Sequence, residues 1–141
     1  MARYQGRVSG PLLDRIDIII EVPAVPFDEL RSYAPAEPSA DIRARVNRAR
    51  AVQRSRFADV GISNNAAMQG AQMRRCCALD SACETLMRQA FDTLGLTARS
   101  YDRILRVART IADLDGSADI RVPHLAEAIR YRTFRFGGAG T

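Results

Sequence analysis

Two hydrophobic periods divide the chain. From Ile16 to Val22 every residue is apolar and β-branched except Asp17 and Glu21, the make-up of a buried strand. Ser9-Gly10-Pro11 opens a turn ahead of it, and residues 12–22 are the one segment whose pattern predicts a strand. Residues 23–40 follow with Pro23, Pro26, Pro35 and Pro38, four of the chain's six prolines. This stretch reads as a linker, with one short helix over Phe27–Tyr33.

Beyond the linker the period becomes helical. Ser39 is a good N-cap, and Ile42, Val46, Ala49, Gln53 and Phe57 recur at helical spacing to form a narrow apolar stripe. Gly61 to Gly70 reads as a loop, followed by a short helix around Gln72–Cys77. Asp80 caps the next helix and Gly95 stands at its C′ position, with Ala82, Leu86, Ala90 and Leu94 as the expected inner face. Thr97 caps the longest helix, Ala98 to Leu114, which Asp115-Gly116 closes. At about 100° per residue, its Tyr101, Ile104, Leu105, Ala108, Ile111 and Ala112 fall within one arc, with Arg99, Arg103 and Arg106 opposite. A last helix starts near Pro123, a good first-turn residue, and runs through Leu125, Ala128 and Ile129. The tail "GGAGT" is expected to be disordered.

The pattern therefore predicts a mainly α fold. A bundle of about four or five helices over residues 41–136 is preceded by one strand at the end of residues 1–22, with 23–40 as linker and 137–141 as tail. A lone strand leaves its backbone donors and acceptors unmet. The simplest reading is that the chain is a piece, and that the rest of the sheet lies upstream.

Composition adds charge to this picture. The chain has 141 residues, 47% hydrophobic and 26% charged, with a net charge of +5. All 21 of its basic residues are arginine. A basic surface fits a nucleic acid or nucleotide phosphate, and solvated arginines fit it equally well. No apolar run approaches the roughly 18 residues of a membrane span, and no signal-peptide h-region follows the N-terminus, so a cytoplasmic location is expected. Cys76, Cys77 and Cys83 make no C-x-x-C and predict neither metal site nor disulfide framework. They read as reduced, partly buried helix residues. His124 is the only histidine and reads as structural, because zinc sites need several ligands. Met68, Met73 and Met87 read as packing.

Longer motifs carry a family resemblance. "YQGRVSGPLLDRIDIIIEVP" resembles the end of the ATPase core in the Mg-chelatase-like AAA+ proteins. "LTARSYDRILRVARTIADLDGSADIRVPHLAEAIRYR" resembles the C-terminal helical (lid) domain of the same family, and "IRARVNRARAVQRSRF" and "CALD" fit its ComM/YifB competence-related type. The resemblance runs from about Tyr4 to Arg132. It implies a ring-forming machine, a hexamer of identical subunits with nucleotide between them. In that setting Arg15, in "LLDRID", corresponds to the arginine finger acting in trans. Arg99, in "TAR", corresponds to sensor 2, acting in cis or in trans. Arginine suits both tasks because its fork is planar, permanently charged and bidentate, and a finger is worth about 10³–10⁵ in rate.

The resemblance further implies a parent protein that binds ATP and Mg2+ and couples hydrolysis to DNA remodelling, as a branch-migration motor in recombination and competence. With no lysine, a G-x-x-x-x-G-K-[ST] loop is impossible here, and no acidic Walker B strand is evident. The piece alone is thus expected to bind no nucleotide and to be inactive. Two alternatives stand beside this reading: a stand-alone basic helical module for DNA or protein, and a Mg-chelatase subunit that inserts metal into porphyrin. At residue level, Arg15 has the alternative of a surface pair with Asp14 or Asp17. Arg103, Arg106 and Arg109 read as solvated or core-edge. The six arginines of 43–56 read as structural or subunit-facing rather than DNA-contacting.

Overall fold

The computed structural model describes residues 15–27 and 36–132. Five α-helices lie within 36–132: α1 Ser39–Arg56, α2 Gly70–Cys76, α3 Ser81–Leu94, α4 Ala98–Leu114 and α5 Val122–Arg130, with a 3-10 turn at Asn65–Ala67. The mainly helical architecture is the expected one. The helix expected over Phe27–Tyr33 falls, beyond Phe27, on residues outside those described, as does the tail 137–141. Among the described residues no helix is long and apolar enough to cross a membrane.

Local chemistry sets most boundaries. The Asp80 carboxylate accepts the Cys83 N–H at 2.8 Å and starts α3. Thr97 Oγ1 accepts the Ser100 N–H at 3.2 Å and starts α4. At the other end of α4, Ser117 N–H bonds Ala112 O at 2.8 Å and Gly116 N–H bonds Asp113 O at 3.3 Å. That is a Schellman closure, and it requires the left-handed backbone that Gly116 adopts at φ 71°. α1 departs slightly from expectation. Pro38 takes the cap position, Ser39 is the first helical residue, and no side chain caps the end.

Helix α4 is the centre of the bundle. It packs against α1, the 3-10 turn, α2 and α5, and α5 packs in turn against α3. Ile104, Ala108 and Ala112 on α4 and Leu125 and Ala128 on α5 are all fully buried, each large aliphatic contributing about 1.5–3 kcal/mol by leaving water. Phe91 of α3 meets Tyr101 of α4 edge to face, with ring centroids 6.2 Å apart.

Three expectations need correction. The inner face of α3 is Cys83, Met87 and Ala90, with Leu86 partly buried, while Ala82 and Leu94 are exposed. A strict spacing of four drifts about 40° per step around a helix, so 82, 86, 90 and 94 could not all face one neighbour. The stripe on α1 is only half used. Ala49, Gln53 and Phe57 are buried, but Ile42 and Val46 are 41% and 42% exposed. The helix simply runs on past its neighbour. Finally, residues 15–26 contain no strand: they are extended chain without a ladder, and Ile18, Ile20 and Val22 face solvent. A strand exists only by pairing, and the described residues offer only isolated contacts such as Ile19 N–H to Tyr131 O at 3.0 Å.

Candidate functional site

Arg15 and Arg99 are linked through Arg103 of α4. Arg99 is the second residue of α4, exposed, in a first turn that holds no acidic residue. It lines an open groove with Phe91, Tyr101, Asp102, Arg103 and Arg106. The helix end adds positive potential to the guanidinium, and Asp102 is the acidic residue of the groove. Arg15 sits in a turn at the start of the extended segment, also exposed. Its carbonyl oxygen accepts from Arg103 Nη1 at 2.9 Å. Arg103 is one helical turn after Arg99, so it stands between the two. Among the described residues neither the Arg15 nor the Arg99 guanidinium has a hydrogen-bonding or ionic partner. Asp17, one of the two partners considered for Arg15, is instead paired with Arg103.

Arg103 is therefore no solvated bystander: its side chain is 19% exposed, and its Nη1 bonds the segment around Arg15. Arg106 is half-buried and donates from Nη2 to Met68 O at 2.8 Å. Arg109 departs furthest from the expected core-edge position, being only 2% exposed. Its Nε donates to Asp113 Oδ1 at 3.1 Å, and its Nη1 and Nη2 donate to the carbonyls of Ala118 and Ser117 at 2.7 and 2.6 Å. Those two carbonyls lie just beyond the Schellman closure, which delivers them to the guanidinium. Arg56 of α1 donates to Asp113 Oδ2 at 2.8 Å, and Asn65 Nδ2 donates to the same oxygen at 2.8 Å. This buried network joins α1, the 3-10 turn and α4. Its one sequence signal was the opposite-charge pair at 109 and 113, four apart beside the apolar arc.

The other singled-out residues are structural. His124 Nδ1 accepts the Arg121 N–H at 3.0 Å, so Nε2 carries the proton and donates to Asp115 at 3.1 Å. The ring thus fastens the start of α5. All three cysteines are free thiols. Burial pushes Cys77 up to about 12 and Cys83 up to about 11, so neither is a nucleophile at neutral pH. On α1, Arg45 pairs with Glu37 and Arg56 with Asp113. Arg43, Arg48, Arg50 and Arg54 are exposed and without a partner among the described residues.

Residues 36–132 match the family model described as magnesium chelatase, subunit ChlI C-terminal, and residues 1–30 match magnesium chelatase, subunit ChlI. Competence protein ComM of Haemophilus influenzae is 42% identical over 131 residues, covering 92% of this chain and 25% of the relative. The YifB proteins of Escherichia coli and Salmonella typhimurium are 40% and 37% identical, with the same coverage. The chain thus spans about a quarter of the length of the curated relatives it matches. Two family models in chain order, with relatives matched over nearly the whole chain, establish that it belongs to the magnesium chelatase-like family, in its ComM/YifB branch.

Proposed function

We propose that this chain is the finger-and-lid portion of a ring-forming ATPase, in which Arg15 is the arginine finger and Arg99 is sensor 2. The observation that supports this is that Arg15 and Arg99 are both exposed and, among the described residues, without a partner for their guanidinia, while Arg103, one turn after Arg99, holds the Arg15 carbonyl. Phosphoryl transfer builds charge on the phosphate oxygens, and a positioned guanidinium stabilises it. Two such groups, one of them in a helix first turn that holds no acidic residue, suit a phosphate cluster better than a cation. ATP would therefore be met at this corner by its phosphates, with Mg2+ and the phosphate loop supplied by other parts of the ring. Because Arg103 ties the Arg15 backbone to the helix that carries Arg99, a single nucleotide held by a neighbouring subunit would meet both, which favours Arg99 acting in trans alongside Arg15. The parent protein would be a hexamer of identical subunits using hydrolysis to remodel DNA, as a branch-migration motor in recombination and competence. The competence name of one relative supports that choice.

In the full-length protein, Arg15→Ala should retain ATP binding and lose about 10³-fold or more in turnover. Measured binding and steady-state hydrolysis decide it, and unimpaired turnover would sink the finger assignment.

A second reading draws on α1. That helix carries six arginines against one acidic residue, Asp41, and Arg43, Arg50 and Arg54 share one face at 100° per residue, spread over about 16 Å. A stripe of this kind suits a polyanion, and makes the chain a basic DNA- or protein-binding helical module in its own right. Binding of this chain to duplex DNA should then weaken steeply with salt. Replacing those three residues by Gln should lower the log–log slope by about three, while a flat titration at low salt excludes the reading.

A further inference from the structure

The segment carrying Arg15 is fastened to the bundle by side chains that the phosphate chemistry does not use. Arg103 donates to the Arg15 carbonyl at 2.9 Å and to the Asp17 carboxylate. Arg132, just beyond α5, donates to the Ile16 carbonyl and, at 3.1 Å, to Ser100 Oγ. Ser100 is itself only 5% exposed and lies 3.2 Å from the Thr97 hydroxyl that caps α4. A backbone bond, Ile19 N–H to Tyr131 O at 3.0 Å, completes the set. Four residues of five, 15 to 17 and 19, are thus tied, two of them by their carbonyls to arginines. One exposed ion pair restrains little. Anchors spread along consecutive residues fix a backbone that has no ladder of its own.

We propose that Arg103 and Arg132 are positioning residues: a latch that holds the finger segment against the first turns of α4, so that Arg15 and Arg99 move as one body. The latch links both arginines to the same helix, and any rotation of the helical domain would carry the two guanidinia to or from a phosphate together. Each anchor takes a main-chain oxygen, that of Arg15 or of Ile16, and neither uses the Arg15 guanidinium. That division is what a preorganised charge needs from its support. The functional consequence rests on the finger reading; the latch itself does not.

Amide exchange on this 141-residue chain tests the latch without nucleotide. Ile19 N–H should be protected, and Arg103→Ala combined with Arg132→Ala should raise its exchange by tenfold or more, while the α4 and α5 amides keep their protection. Arg103→Lys, which still donates to both oxygens, should preserve the protection. Free-peptide exchange at Ile19 in the native chain, or no change in the double variant, overturns the latch. In the full-length protein the same double variant should lower kcat by at least tenfold at unchanged KM for ATP, with Arg103→Lys restoring most of it. Unchanged kcat would overturn the coupling to the finger. Failure of the finger reading shows separately, as full turnover in Arg15→Ala, and leaves the exchange result standing.

Discussion

Asp113 receives hydrogen bonds from Arg56, Asn65 and Arg109 at once. Burial alone would raise its carboxyl. The donations from Arg56 and Asn65, with the charge of Arg109, outweigh burial and hold it below the usual carboxylate range. The sign of the pH dependence follows. The native carboxyl binds its proton at lower pH than the unfolded one, whose value is about 3.9. Its stabilising contribution is therefore complete above that value and is lost as pH falls through the native one. Asp113→Asn keeps the shape but leaves Arg109, 2% exposed, with no counter-charge, and should cost about 3–5 kcal/mol in urea unfolding at pH 7. The variant should also lose part of the native chain's acid sensitivity between about pH 5 and 2. Equal stability at pH 7 would mean that the network contributes nothing net.

At the scale of elements, α1 separates pattern from packing. Phe57 is 1% exposed and Val46 42%, although both belong to one periodic stripe. Phe57→Ala should cost about 3–5 kcal/mol, and Val46→Ser about 0.5 kcal/mol or less, as read by chemical denaturation. Comparable losses at the two sites would show that the outer half of α1 is covered after all. Periodicity names a face but not the length of the neighbour that covers it, which is why α1 was half legible. The bounds and apolar arc of α4 were legible, because its arc is continuous and each end is closed by its own local chemistry, at Thr97 and at Gly116. The candidate site was legible in identity only. Motif resemblance alone singled out Arg15 and Arg99, and the link between their segments depends on Arg103 meeting Asp17 and Arg132 meeting Ile16. Those partners are 86 and 116 residues apart, and no local spacing encodes them. Arg109 was misplaced for a similar reason: its burial depends on carbonyls that only the closed α4 terminus presents.

At the scale of the whole molecule, one central helix touching most of the others suggests a single unfolding unit. The thiols report on it. Cys77 lies against α4, its Sγ 3.9 Å from Leu105 O, and Cys83 lies against the approach to α5, its Sγ 3.7 Å from Ile120 O. With a disulfide reagent, partly buried Cys76 should react promptly. Cys77 and Cys83 should react slowly and at one shared rate, that of global opening. Two distinct slow rates would show that the bundle opens in parts. The extended segment has a colloidal consequence as well. Ile16, Ile18, Ile20 and Val22 present a solvent-facing aliphatic row, from 38% to 78% exposed, of the kind that recruits identical strands into stacked sheets. Asp17 and Glu21 put charge on the opposite face of the extended chain, and Pro23 ends the row with a residue that cannot donate to a ladder. Asp17 is therefore a guard against self-association as well as an anchor, and Asp17→Asn should scatter light at protein concentrations where the native chain stays clear.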